Sequence, residues 1–255
     1  NVDKSGGRIR LVADQGTTIS SGTLDASSSS SDSSLQSPGG LVSIQSERLG
    51  VSGAVNADGA KNSQIFIDTK GDAIFMPTAS ISAVNGDIIV NAPDENGVLT
   101  GSTTAYEGAE FSARGDNNGG FIELSGKHLN VDSATLDASR VLFDPANITF
   151  ANTGDSNTSG FNPPGDLTEA FADDAGFNSV FVVDGSGVLA NANAGDTLTF
   201  EATNDITVSE TFNISTATGD DNVNLVLTAQ NDIKVNSQVT ATGSGTITMS
   251  ANNDI

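Results

Sequence analysis

Leu225-Val226-Leu227-Thr228-Ala229-Gln230-Asn231-Asp232-Ile233 alternates apolar and polar side chains, breaks at an Asn-Asp pair, and resumes alternation through Lys234 and Val235. A period of two over so short a run specifies a half-buried strand, and the Asn-Asp pair a corner. The pattern occurs twice more, as Leu198-Thr199-Phe200-Glu201-Ala202-Thr203-Asn204-Asp205-Ile206 and as Ile247-Thr248-Met249-Ser250-Ala251-Asn252-Asn253-Asp254-Ile255. The Asn-Asp-Ile steps are 27 and 22 residues apart. Each copy predicts two short strands meeting at a corner.

The first half carries a second form. A Gly-Gly pair opens an alternating run at Gly6-Gly7-Arg8-Ile9-Arg10-Leu11, Gly39-Gly40-Leu41-Val42-Ser43-Ile44 and Gly119-Gly120-Phe121-Ile122-Glu123-Leu124. The first and third runs are followed, 16 and 15 residues after the second Gly, by the same pentapeptide, Thr23-Leu24-Asp25-Ala26-Ser27 and Thr135-Leu136-Asp137-Ala138-Ser139. Gly53-Ala54-Val55-Asn56-Ala57-Asp58 is the looser equivalent in the second run.

Repeats of 20 to 30 residues with short strands, no helix between them and Gly, Asn or Asp corners predict an all-β solenoid of stacked parallel sheets. Equivalent strands would lie about 4.8 Å apart. Ile9, Leu11, Ile122, Leu124, Leu225, Leu227, Ile233 and Val235 are expected to form one inward column, with Arg10, Glu123 and Lys234 facing water. Asn204, Asp205, Asn231, Asp232, Asn253 and Asp254 are expected as structural corners, since Asn and Asp tolerate left-handed backbone and hydrogen-bond nearby main chain. Stacked Asn side chains would pair between coils.

Two stretches interrupt the repeats. Ser27 to Ser34, almost all Ser, is expected as an extruded loop. From about Gly154 to Gly195, Asn162-Pro163-Pro164-Gly165 ends strand character and Asp166-Leu167-Thr168-Glu169 has capping-box spacing. A short helix over Leu167 to Ala172 follows, with Leu167, Phe171 and Phe177 covering one flank, and Val180-Phe181-Val182-Val183 returns as a strand. The chain thus divides into Gly-Gly repeats over 1–150, a helix-containing insertion over 151–195 and Asn-Asp-Ile repeats over 196–255.

Thirty-two acidic against ten basic residues give a net charge of −22, which repels nucleic acid and anionic membrane surfaces. Cys is absent, so stability rests on backbone pairing and packing. No apolar stretch approaches the length of a membrane helix. Asn1-Val2-Asp3-Lys4 does not open a signal peptide and the last residues fall inside a repeat, so an interior segment of a longer chain is expected.

Gly119-Gly120-Phe121-Ile122-Glu123-Leu124-Ser125-Gly126, Leu142-Phe143-Asp144-Pro145-Ala146-Asn147-Ile148-Thr149-Phe150 and the Ala-x-Asn-Asp-Ile copies resemble the repeat regions of filamentous haemagglutinin-like large exoproteins of two-partner secretion. The resemblance implies a right-handed parallel β-helix at the bacterial cell surface, exported through an outer-membrane barrel transporter. It further implies attachment to a host or neighbouring cell or a polysaccharide matrix, aggregation or biofilm formation. The Asn-Pro-Asn type motif of the amino-terminal secretion domain is not found, so shaft is expected in place of targeting cap.

Arg114-Gly115-Asp116 lies in a Gly/Asn-rich loop and is a candidate exposed recognition tripeptide. Asp116, Asp220 and Asp221 are calcium candidates, although no twelve-residue helical loop or calcium nonapeptide is present, and no other cofactor is expected. Asp173-Asp174 and Asp220-Asp221 are the nearest carboxylate pairs for the alternative, a secreted polysaccharide lyase or hydrolase. Adjacent side chains of an extended segment diverge, and His128 has no neighbouring nucleophile, so no catalytic site is expected. Asn147, Asn157 and Asn213 begin glycosylation tripeptides. A third alternative is a self-polymerising fibre subunit, because a solenoid end exposes unpaired strand edges.

Overall fold

The computed structural model describes residues 5–28, 37–93, 96–115, 119–153 and 179–255. Strands dominate these residues, and every strand pairing among them is parallel. The chain visits three sheet positions in turn and then returns to the first. One circuit runs through Ser63–Thr69, Asp72–Phe75 and Ser80–Ser82, the next through Gly86–Val90, Ser102–Ala105 and Glu110–Ser112. Each strand pairs with its counterpart one circuit earlier.

The principal row orders Leu41–Val51, Ser63–Thr69, Gly86–Val90, Phe121–Ser125, Arg140–Asp144, Thr197–Ala202, Asn224–Ala229 and Ile247–Ala251. The strands of the two repeat forms therefore continue one row. Leu41–Val51 pairs with Ser63–Thr69 through its first arm and with Asp72–Phe75 through its second, joining this row to the second one of Asp72–Phe75, Ser102–Ala105 and Leu129–Asn130. Arg8–Ser20 pairs with Leu41–Val51 along both arms. Thr23–Asp25 and Thr135–Asp137, from the identical pentapeptides, lie at the two edges of the third sheet. Register along the principal row links Arg8, Leu41, Gln64, Asp87, Phe121, Arg140, Thr197 and Asn224, giving circuits of 33, 23, 23, 34, 19, 57 and 27 residues. The extra length of the 57-residue circuit falls between Asp144 and Thr197, across the expected insertion.

Alternation places two apolar columns inside. Ile9, Val42, Ile65, Ile88, Ile122, Val141, Leu198, Leu225 and Ile247 are in register, as are Leu11, Ile44, Ile67, Val90, Leu124, Phe143, Phe200, Leu227 and Met249. Full burial of such a side chain contributes about 1.5–3 kcal/mol, so the columns are the main source of cohesion. Toward the second half the core becomes aromatic. The ring of Phe200 lies 4.9 Å from those of Phe143, Phe150 and Phe181, and Phe150 stacks on Phe212 at 4.9 Å.

Several expectations change. The inward residues form separate columns, because Ile233 belongs to another sheet, beside Ile206 and Ile148. Val235 is 42% exposed, since its strand is the outer one of that sheet. Glu123 points outward yet is only 9% exposed. Asn204, Asn231 and Asn253 are not left-handed; positive φ falls instead on Asn62, Asn85, Asn91 and Asn222. Helix also occurs where alternation gave no sign of it. Ile214–Thr218 forms a short helix capped by the Asn213 side chain, which accepts from the Ser215 amide, and closed by left-handed Gly219.

Val180–Val182 forms a strand, but not simply the next one along. It pairs with Ile148–Ala151 on the edge opposite Ile206–Val208. The Leu129 amide donates to Ser179 Oγ at 3.0 Å, so the returning chain is wedged against the preceding circuit. The expected helix over Leu167 to Ala172, with Phe171 and Phe177, and the core of the Ser-rich loop, 29–36, lie outside the described residues.

Candidate functional site

Phe121–Ser125, Arg140–Asp144 and Thr197–Ala202 lie side by side in the principal row. Ile122, Leu124, Val141, Phe143, Leu198 and Phe200 point inward, so alternation turns Glu123, Ser125, Asp144 and Glu201 outward. Asp144 is in register with Ser125, and Glu201 follows Phe200, the partner of Phe143, which sets it beside Asp144. Three carboxyl groups thus share one patch across three adjacent strands.

Ser125 Oγ donates to Glu123 Oε1 at 3.0 Å. Asp144 is 8% exposed, and among the described residues its carboxyl has neither a hydrogen-bond partner nor an ion-pair partner. Burial, reinforced by the charges of Glu201 and Glu123, pushes its pKa up to about 7. Burial likewise raises Glu123, with the Ser125 hydrogen bond opposing and Glu201 adding to the shift. Chemically the patch can hold protons near neutrality. Among the described residues no three His, Cys, Asp or Glu side chains stand together as a metal site.

Asp132 is a second buried carboxyl. The Val182 amide lies 3.3 Å from each of its oxygens and the Val188 amide 3.4 Å from Oδ1. A Cβ on Gly187, whose φ is 75°, would meet those oxygens at 2.6 and 2.7 Å. Burial raises Asp132 to about 7, the two amides oppose the shift, and Asp184 adds to it. This carboxyl pins the returning segment to the preceding circuit.

Arg114 is 15% exposed at its side chain and does not project as a recognition loop would. Its guanidinium grips Asp196 with two bonds, at 2.6 and 3.1 Å, and reaches Asp137 at 2.5 Å and the Ala138 carbonyl at 2.6 Å. The Asp196 bonds are the main reason its pKa rises further. It is a clamp across successive circuits. A Cβ on Gly115 would collide with the Asn85 side chain, and Asp116 lies outside the described residues.

Asp220 and Asp221 sit exposed after the short helix, where Thr242 Oγ1 donates to Asp221. Asp173, Asp174 and Asn157 lie outside the described residues. His128 is half-buried, and its carbonyl accepts from Thr103 N at 3.0 Å. The Asn-Asp corners form a ladder. Asn253 Nδ2 donates to Asn231 Oδ1 at 2.5 Å, Asn231 Nδ2 donates to Asp205 Oδ1 at 2.6 Å, and the Asp254 amide donates to Asp232 at 3.4 Å. Lys234 pairs with Asp205 and with Asp232.

A groove of about 330 Å³ lies on the outer face, lined by Phe66 and Ile89, by Ala92, Pro93 and Thr100, and by the charged Asp68 and Lys70. Outward alternation marks a residue as solvated whatever covers it, so the burial of Glu123, Asp144 and, at its separate place, Asp132 was not legible from the pattern alone. Comparison with protein-family models, curated proteins and solved structures gives no match for this chain.

Proposed function

We propose that the chain is a right-handed parallel β-helix serving as a structural and adhesive shaft in a large secreted surface protein. It mediates attachment, aggregation or matrix formation without catalysis. The single observation that carries this is the unbroken register from Ile9 to Ile247, in which every circuit adds one strand to the same row. Repetition of this kind builds length, and its surface is an extended array. The resemblance to haemagglutinin-like exoproteins supports an outer-membrane barrel as transporter and cell surfaces, polysaccharide or like chains as partners.

Small-angle scattering of the purified chain tests the shape. An elongated particle with strand-dominated circular dichroism is expected, and a compact sphere would overturn the proposal. A polysaccharide-degrading activity is favoured by one observation, the grouping of Glu123, Asp144 and Glu201 on one face. Products released from acidic or neutral polysaccharides by the wild type, and not by Asp144→Asn, would establish that second function.

A further inference from the structure

We propose that Glu123, Asp144 and Glu201 form a proton-operated latch, which tightens the middle of the principal sheet in mild acid and loosens it in mild alkali. The proposal is independent of adhesion and rests on the patch itself. Three carboxyls from adjacent strands share one outward patch, Asp144 has no partner among the described residues, and both Asp144 and Glu123 are shielded from water. Buried carboxylates of like charge cannot all ionise without cost, and a proton is the smallest neutraliser available.

The surrounding charges leave that cost in place. Strand Phe121–Ser125 contributes Glu123 itself and the Ser125 hydroxyl, and strand Gly86–Val90 presents Ile89 opposite Glu123 with Asp87 two residues earlier. Strand Thr197–Ala202 adds Glu201, with Thr228 beyond it. Arg140, on the strand of Asp144, lies over the Phe121 ring at 5.1 Å. It is four residues from Asp144, about 13 Å along an extended strand, which exceeds the screening length in physiological salt. Lys127 is exposed on the following turn and makes no ion pair among the described residues.

The direction follows from linkage. Asp144 is raised from 3.8 to about 7 in the folded chain, so between these values the folded state binds the proton and the unfolded state does not. Its contribution to stability is therefore greatest near pH 4, falls as pH rises to about 7, and stays low above that. Glu123, raised by the same burial, adds to the effect in the same sense.

Hydrogen exchange at about pH 5.5 and about pH 8.5, corrected for intrinsic rates, reads the latch locally. Amides of residues 122–124, 141–143 and 198–200 should be protected about tenfold or more better in acid, because each pK unit is worth a factor of ten. In Asp144→Asn they should keep the higher protection at both values, while residues 182–188, governed by Asp132, retain their own pH dependence. Should Asp144→Asn fold poorly, Glu201→Gln removes one half-buried charge and should reduce the ratio. A wild-type ratio near one, or an unchanged ratio in these variants, overturns the proposal. So would restoration of wild-type protection at high pH by millimolar calcium, which would make the patch a cation site.

Discussion

Asn91 shows how a single side chain fixes a corner of this fold. Its backbone is left-handed at φ 53°, a conformation that costs most L residues about 1–2 kcal/mol and that Asn tolerates. The buried side chain joins two circuits: Oδ1 accepts from Thr69 N at 2.8 Å and from Thr69 Oγ1 at 3.0 Å, and Nδ2 donates to Thr103 Oγ1 at 3.0 Å. Thr103 Oγ1 passes the chain on to the Ser125 carbonyl at 2.7 Å. Asn91→Ala leaves the Thr69 amide without an acceptor and keeps the strained backbone, so a loss of about 2–4 kcal/mol is expected in urea unfolding. Asn91→Gly removes the same bonds but relieves the backbone, and should be the milder substitution by about 1 kcal/mol. Equal losses would show that backbone conformation plays no part.

The Gly-Gly turn is the element where sequence and structure meet most directly. A Cβ on Gly40 would lie 2.1 Å from the Ala26 carbonyl oxygen, and one on Gly120 2.3 Å from that of Ala113. The turn passes so close to the preceding circuit that only a residue without a side chain fits, and the Gly40 amide donates to Ala57 O at 2.7 Å on the other side. Gly40→Ala forces main chain apart and should cost about 1–3 kcal/mol or more. Gly22 has open space around its Cβ position, so Gly22→Ala should be near neutral in the same denaturation series. Alternation and Gly-Gly pairs were legible because each is a local demand of strand pairing. The apolar positions of Ile122 to Leu124 and Leu225 to Leu227 followed directly. Glu123 and Val235 did not, because period two fixes which way a side chain points while burial depends on what lies over it. The pairing of Arg114 was not legible for a related reason: its partners Asp137 and Asp196 are distant in sequence, and only the stacking of circuits brings them to it. The wedged strand Val180–Val182 had strand composition, but its place before Ile148–Ala151 depends on the path of the chain.

At the scale of the molecule, charge sets the terms. Thirty-two acidic residues face ten basic ones, and the ion pairs of the described residues use few of the acids: Arg48 with Asp72, Lys70 with Glu47, Arg114 with Asp137 and Asp196, and Lys234 with Asp205 and Asp232. Stacking circuits repeats like charges at strand spacing, so Asp205, Asp232 and Asp254 recur along one corner, with Lys234 beside the first two. Raising the ionic strength from about 0.01 M to about 1 M shortens the screening length from about 30 Å to about 3 Å. That weakens repulsion over the whole surface, whereas the pairs it also weakens are partly exposed ones of small worth, such as Lys70 with Glu47 at 4.0 Å. Repulsion therefore dominates the balance. The melting temperature should rise with salt by about 2–4 °C, the equivalent of roughly 1 kcal/mol for a chain of this size. The rise should be larger at about pH 8.5, where Asp132 and Asp144 are ionised, than at about pH 5, where both carry protons. A melting temperature that falls with salt at both pH values would show that the ion pairs outweigh the net charge, and would locate the stability of the fold in clamps such as Arg114.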